Sequence, residues 1–124
     1  MTAGIYDTDL DQTPANHEPL SPISFLKRAA EVYPNRIAVV HGAMRLTNRE
    51  VYRRSCRLAS ALVNRGIVPG DTVAIIAPNI PAHFEAHYGV PMSGAVLNAI
   101  NTRLDASTVA FILNHGEAKV LLTD

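Results

Sequence analysis

Cysteine is nearly absent from this chain. Cys56 is the single thiol, so no internal disulfide can form, and a reducing, cytoplasmic location is the expectation. Long apolar runs are missing too. Nothing approaches the roughly 18 residues that a membrane-crossing helix needs, which excludes a membrane span. The opening MTAGIYDTDLDQ is acidic and lacks both the basic start and the apolar stretch of a secretory signal. The formal net charge is zero, so no overall field draws the protein to nucleic acid, an acidic partner or a membrane surface. Also missing are the Gly-x-x-x-x-Gly-Lys-Ser/Thr phosphate loop, the Gly-x-Gly-x-x-Gly fingerprint, internal repeats and low-complexity tracts.

What is present fits one domain with a modest core. The 124 residues are 48% hydrophobic and 18% charged, a balance that excludes wholesale disorder. Charge is locally uneven although the total cancels. Residues 1–26 carry Asp7, Asp9, Asp11 and Glu18 with no lysine or arginine, a charge of −4. Residues 45–65 carry Arg45, Arg49, Arg53, Arg54, Arg57 and Arg65 against Glu50, a charge of +5. Tyr52 alone interleaves with these arginines, short of the stacking series that single-stranded nucleic-acid binding would favour, so a solvated helix face is expected and no nucleic-acid partner.

Residues 1–20 are polar, contain proline and lack periodicity, and read as an N-terminal arm; residues 21–124 read as the folded part. Ser21-Pro22 is a helix start, with Ile23, Leu26, Ala30 and Tyr33 at helical spacing and Pro34 as the stop. Ile37–His41 and Met44–Leu46 form a small hairpin turned at Gly42-Ala43. Thr47-Asn-Arg-Glu50 is a capping box. The helix it opens puts Val51, Ser55, Leu58 and Leu62 on one stripe and Arg49, Arg53 and Arg57 on another. Glu50 stands four residues before Arg54 as a favourable pair, and Gly66 ends the helix. From Thr72 the pattern alternates. A strand, Thr72–Ala77, leads to a helix from about Ile80 to Ser93, capped by Asn79 and kinked or shortened by Pro91. A strand, Ala95–Ile100, leads to a helix capped by Asp105 and stopped at His115-Gly116, and Lys119–Thr123 is a last strand. Strands Thr72–Ala77 and Ala95–Ile100 are written for burial on two faces. The fold class is therefore α/β, with mostly parallel β-α-β units preceded by an arm, a helix and a small hairpin.

Chemistry is sparse. In His83-Phe-Glu-Ala-His87 two histidines stand four apart, as in a zinc-protease helix. Phe84, however, displaces Glu85 by one residue, about 100° around the helix, and no third ligand is evident. Helix histidines in ordinary hydrogen bonds are expected, and no metal site. Cys56 falls on the apolar side of its helix as a small buried residue. Asn98, Asn101 and Arg103 cluster at the carboxyl end of a parallel strand, where polar groups face a cleft, and are the substrate-cleft candidates. Loop capping, with a surface ion pair between Arg103 and Asp105, is the other account of them. No catalytic residue is assigned.

The order of the pieces resembles the start of an acyl-CoA synthetase of the adenylate-forming, AMP-binding superfamily. The resemblance runs from Pro19 to Asp124. It is carried by Pro22-Ile-Ser-Phe-Leu-Lys-Arg-Ala-Ala-Glu-Val-Tyr-Pro-Asn-Arg36, by Leu46-Thr-Asn-Arg-Glu50 and by Gly70-Asp-Thr-Val-Ala-Ile-Ile-Ala-Pro-Asn79. Gly94-Ala-Val-Leu-Asn-Ala-Ile-Asn-Thr-Arg-Leu104 and Phe111-Ile-Leu-Asn-His-Gly-Glu-Ala-Lys119 complete it. Leu46–Glu50 is similar to the first core motif, with Asn48 in the aromatic place, and Ser93-Gly94-Ala95 to the second. Tyr88-Gly-Val-Pro-Met-Ser-Gly-Ala-Val-Leu-Asn98 looks most like the medium-chain and plant-type branch. The resemblance implies ATP, Mg2+ and coenzyme A in the full-length enzyme, which turns a carboxylic or fatty acid into an acyl-adenylate and then an acyl-CoA. The family's phosphate loop, metal motif and lid lysine do not occur in this sequence. The expectation is thus a truncated N-terminal part, inactive alone, marginally stable or self-associating, and binding none of the cofactors tightly. Two other readings stand beside it: an interaction module that pairs with the missing C-terminal portion of a split synthetase, and a small nucleotide-binding α/β domain.

Overall fold

The computed structural model describes residues 11–18 and 20–124. Among them the order is α1 (Pro22–Val32), β1 (Ile37–His41), β2 (Met44–Thr47), α2 (Asn48–Asn64), β3 (Thr72–Ile76), α3 (Pro81–Met92), β4 (Val96–Ala99), α4 (Ala106–His115) and β5 (Ala118–Thr123). Residues 11–18 carry one hydrogen-bonded turn at Thr13–Asn16. The acidic cluster read at Asp7 and Asp9 lies outside the described residues.

Most helix ends follow local chemistry. The Ser21 hydroxyl accepts from the Ile23 amide, and Pro22 takes the position where a missing N–H costs nothing. The capping box of α2 is complete: Thr47 Oγ1 accepts from the Glu50 amide at 3.3 Å, and Glu50 Oε2 accepts from the Thr47 amide at 2.8 Å. At the far end the Gly66 amide donates to Val63 O and the Ile67 amide to Leu62 O, a Schellman turn with Gly66 at φ +86°. Leu62 and Ile67 are both in the core, so this turn aims the chain at β3.

One expectation is corrected at a helix end, and two others hold. Asn79 does not cap α3; the N-cap is Ile80, whose carbonyl accepts from the His83 and Phe84 amides without side-chain help. Pro81 sits at the first helical position and sets the start one residue past the reach of an Asn79 cap. Pro91 falls in the last turn, and the helix stops at Met92, shortened as expected, with Ser93 as its C-cap. α4 stops at His115 with Gly116 as its C-cap, as expected, and the left-handed residue that follows is Glu117, at φ +49°. Gly116 serves closeness instead: a Cβ there would lie 3.1 Å from both Asn98 Nδ2 and Ile112 O.

β3 is the middle of a three-stranded parallel sheet ordered β4-β3-β5, and β1 and β2 form a separate antiparallel hairpin. In register, Val73 opposes Leu97 and Val120, and Ile75 opposes Leu122. These side chains share the face that α2 and α3 cover with Leu58, Leu62, Ala86 and Val90. Ala74 turns to the other face beside Asn98 and Leu121. Val73 and Ala74 are 0% exposed and Ile75 is 2%. Burial on two faces therefore holds for β3 alone. β4 is an edge strand, and Val96 remains exposed, as do Leu121 of β5 and Phe111 of α4.

The tightest seam joins α2 to α3. A Cβ on Gly89 would lie 2.8 Å from a Leu58 methyl and 2.9 Å from Ser55 O, so only glycine lets the two helices come this close. Ser55 is fully buried there and its hydroxyl has no partner. Gly89→Ala is expected to lower unfolding free energy by about 1–3 kcal/mol through overpacking. Ser55→Ala is expected to be neutral or stabilising, since it removes an unsatisfied buried hydroxyl. Urea melts of the two variants check both signs.

Candidate functional site at the carboxyl ends of the parallel strands

Because β3, β4 and β5 are parallel, their carboxyl ends share one edge. It carries Ala77-Pro78-Asn79, Ile100–Arg103 and Thr123-Asp124. Ligands of open α/β sheets collect at that edge. Two cavities flank it. One, of about 480 Å³, lies among Leu58, Ile75, Ala77, Ile80, Glu85 and Leu121–Asp124. The other, of about 710 Å³, runs between β1 (Ala38–His41) and α3, lined by Asn79–Pro81, His83, Phe84, His87 and Tyr88. Both are mainly apolar, and α3 is the wall between them.

An ion pair that the sequence did not reveal holds that wall. Arg54 Nε donates to Glu85 Oε1, the one ion pair among the described residues. The Glu85 side chain is only 9% exposed, while that of Arg54 is 37%. The hydrogen bond to Glu85 raises the Arg54 guanidinium further above its ordinary range. The expected pair between Glu50 and Arg54 does not form. The Glu50 carboxylate is committed to the Thr47 amide and hydroxyl, which hold it below the usual carboxylate range. The two ends of the real pair are 31 residues apart, and no helical spacing could have linked them.

The histidines of α3 make the ordinary hydrogen bonds expected. His83 Nδ1 lies 3.0 Å from Ala77 O, and His87 Nδ1 lies 2.9 Å from His83 O. Cys56 is half-buried and not buried. The neighbouring thiol pushes the pKa of the Tyr52 phenol up, and Cys56 lines a groove with Leu46, Arg53 and Arg57.

The three cleft candidates are not brought together. Asn98 lies within β4 and packs its amide against Gly116 under the end of α4. Asn101 and Arg103 do share the loop after β4, where Asn101 Oδ1 accepts from the Arg103 amide at 2.9 Å. Arg103 is exposed and does not pair with Asp105. Asp105 instead caps α4, accepting from the Ser107 and Thr108 hydroxyls and the Thr108 amide. Those bonds, the Ser107 one foremost, hold its carboxyl far below the usual range. Among the described residues no group of three His, Cys, Asp or Glu side chains could hold a metal ion.

Residues 26–124 match the AMP-binding enzyme family. The chain belongs to that family. The resemblance read from the motifs and the expected α/β class both hold for this AMP-binding chain. It is 58% identical over 116 residues to the peroxisomal acetate/butyrate–CoA ligase of Arabidopsis thaliana, covering 94% of this chain and 20% of the relative. To the peroxisomal benzoate–CoA ligase of the same plant it is 51% identical over 116 residues, with the same 94% and 20% covered. The o-succinylbenzoate CoA synthetase of Bacillus subtilis, solved with its acyl-adenylate intermediate, superposes with a TM-score of 0.76 at 29% identity, covering 81% of this chain and 26% of that one. The chain thus spans about a fifth of the length of the curated relatives it matches. No helix among the described residues is long and apolar enough to cross a membrane.

The described residues by themselves do not fit ATP with Mg2+: the strand-end edge offers one exposed arginine among them, with no phosphate loop and no carboxylate cluster.

Two tests follow from these contacts. Arg54→Ala strands a carboxylate that water hardly reaches, whereas Glu85→Ala leaves a guanidinium that can turn outward. Arg54→Ala is therefore expected to cost more, about 2–4 kcal/mol against about 1–2 kcal/mol, in denaturant melts. For Asp105 the folded pKa lies below the unfolded value of about 3.9, so its cap adds stability above about pH 4 that is lost as pH falls toward the folded value. Amide protection factors in the first turn of α4 should fall in that acid window, and Asp105→Asn should flatten their pH dependence.

Proposed function

We propose that this chain is the N-terminal framework of an acid–CoA ligase. The whole enzyme activates a carboxylic or fatty acid with ATP to an acyl-adenylate and passes the acyl group to coenzyme A. The observation that carries the proposal is the 58% identity to an acetate/butyrate–CoA ligase across nearly all of this chain. Aliphatic and aromatic acids both occur in the names of the relatives, so the framework is common to both and the acid is selected by other residues.

Within this framework β3, β4 and β5 bring their carboxyl ends to the substrate side, and Asn101 and Arg103 stand on its rim. Asn98 supports the sheet from beneath α4. The Mg2+ ligands and the donors for developing phosphate charge come from sequence that this chain does not contain, and the chain alone is inactive. The lone Cys56 favours a reducing compartment, either the cytoplasm or the peroxisome named for the plant relatives. Exposed Val96, Phe111 and Leu121 support association, with another copy or with a separate C-terminal portion.

The chain incubated with ATP, Mg2+ and acetate, butyrate or benzoate should release no pyrophosphate. Adding the separately expressed remainder of a ligase should yield acyl-CoA, and the chain alone should sediment with rising mass as its concentration rises. Pyrophosphate in proportion to this chain by itself would overturn the proposal.

A further inference from the structure

We propose that His83 and His87 form a two-nitrogen site for a divalent transition ion, of the class Ni2+, Cu2+ or Zn2+, on the outer side of α3. Spacing alone does not carry this, because it leaves open which ring nitrogens are free. The hydrogen bonds decide it. Each Nδ1 lies against a backbone carbonyl, Ala77 O at 3.0 Å and His83 O at 2.9 Å. A carbonyl only accepts, so each Nδ1 carries the proton and each neutral ring keeps its lone pair on Nε2. A backbone carbonyl holding Nδ1–H is the arrangement that fixes tautomer and ring direction in metal-ligating histidines.

The two rings stand one helical turn apart, centroids 5.2 Å from each other and 25° from parallel, over the 710 Å³ cavity. Ion–nitrogen bonds of about 2.0–2.1 Å require the two Nε2 atoms to converge. His87 is exposed and His83 is half-buried, so solvent reaches the outer side of the pair. Glu85, between them in sequence, points to the opposite side of α3 and is neutralised by Arg54, so it neither ligates nor leaves a charge opposing a cation. His41 of β1 lines the same cavity but does not complete a group of three donors. Solvent fills the remaining positions. Imidazole donors favour Cu2+, Ni2+ and Zn2+ over Mg2+ or Ca2+, which separates this site from the ATP-linked Mg2+ of the family. An ion seated here bridges the first two turns of α3 in the folded chain only, and so raises its melting temperature.

The test is calorimetric titration of the 124-residue chain with Ni2+ at about pH 7.5. One Ni2+ per chain is expected, with a raised melting temperature. His83→Asn and His87→Asn should each weaken binding about 100-fold, since each removes the second arm of the chelate. His41→Asn and His115→Asn should leave it unchanged. Should either helix variant fail to fold, imidazole nitrogen shifts of the parent with Zn2+ replace it, and both Nε2 atoms are expected to move. No uptake, uptake insensitive to His83 and His87, or a Zn2+ shift at one ring alone would overturn the site.

Discussion

A strand dry on both faces constrains everything around it. Val73, Ala74 and Ile75 have no water to bond, so the backbone of β3 must be paired on both sides. β4 and β5 supply those pairings, and they run parallel to it because helices form each crossover. Parallel pairing then gathers three carboxyl ends on one edge. The position of that edge is thus a consequence of burying three residues.

The second layer follows from the first. Val73 and Ile75 need an apolar cover, and α2 and α3 provide it as a close-packed pair. Gly89 permits the approach of the two helices, and the pairing of Arg54 with Glu85 fixes it laterally. A framework built this way orients the strand-end loops, which bear few ionisable groups among the described residues.

Local chemistry was legible in the sequence, and distance was not. The capping box at Thr47–Glu50, the Ser21-Pro22 start and the Asp105 cap were each readable within four residues, and each is formed. The parallel order followed from alternation of periods. Asn79 misled because polar caps usually outrank an isoleucine, yet Pro81 set the start of α3 by its own geometry. Glu50 was paired with Arg54 because helical spacing allows it; the cap claimed the carboxylate first. Asn98, Asn101 and Arg103 looked like one cluster because they lie within six residues. The pleat separates them, sending Asn98 beneath α4 while the other two stand in the loop. The contact of Arg54 with Glu85 and the unpartnered Ser55 hydroxyl depend on how α2 meets α3, which no local pattern encodes.

The uneven wetting of that ion pair has a consequence for behaviour in brine. Mobile ions screen charges that they can surround, and the arginine row of Arg49, Arg53 and Arg57 stands in open solvent. The Glu85 carboxylate is nearly enclosed, so dissolved ions scarcely reach the contact. Concentrated salt thus mutes the outer charges of α2 more than the inner tether, and α3 keeps more of its hold on α2 than the surface charges alone would give it.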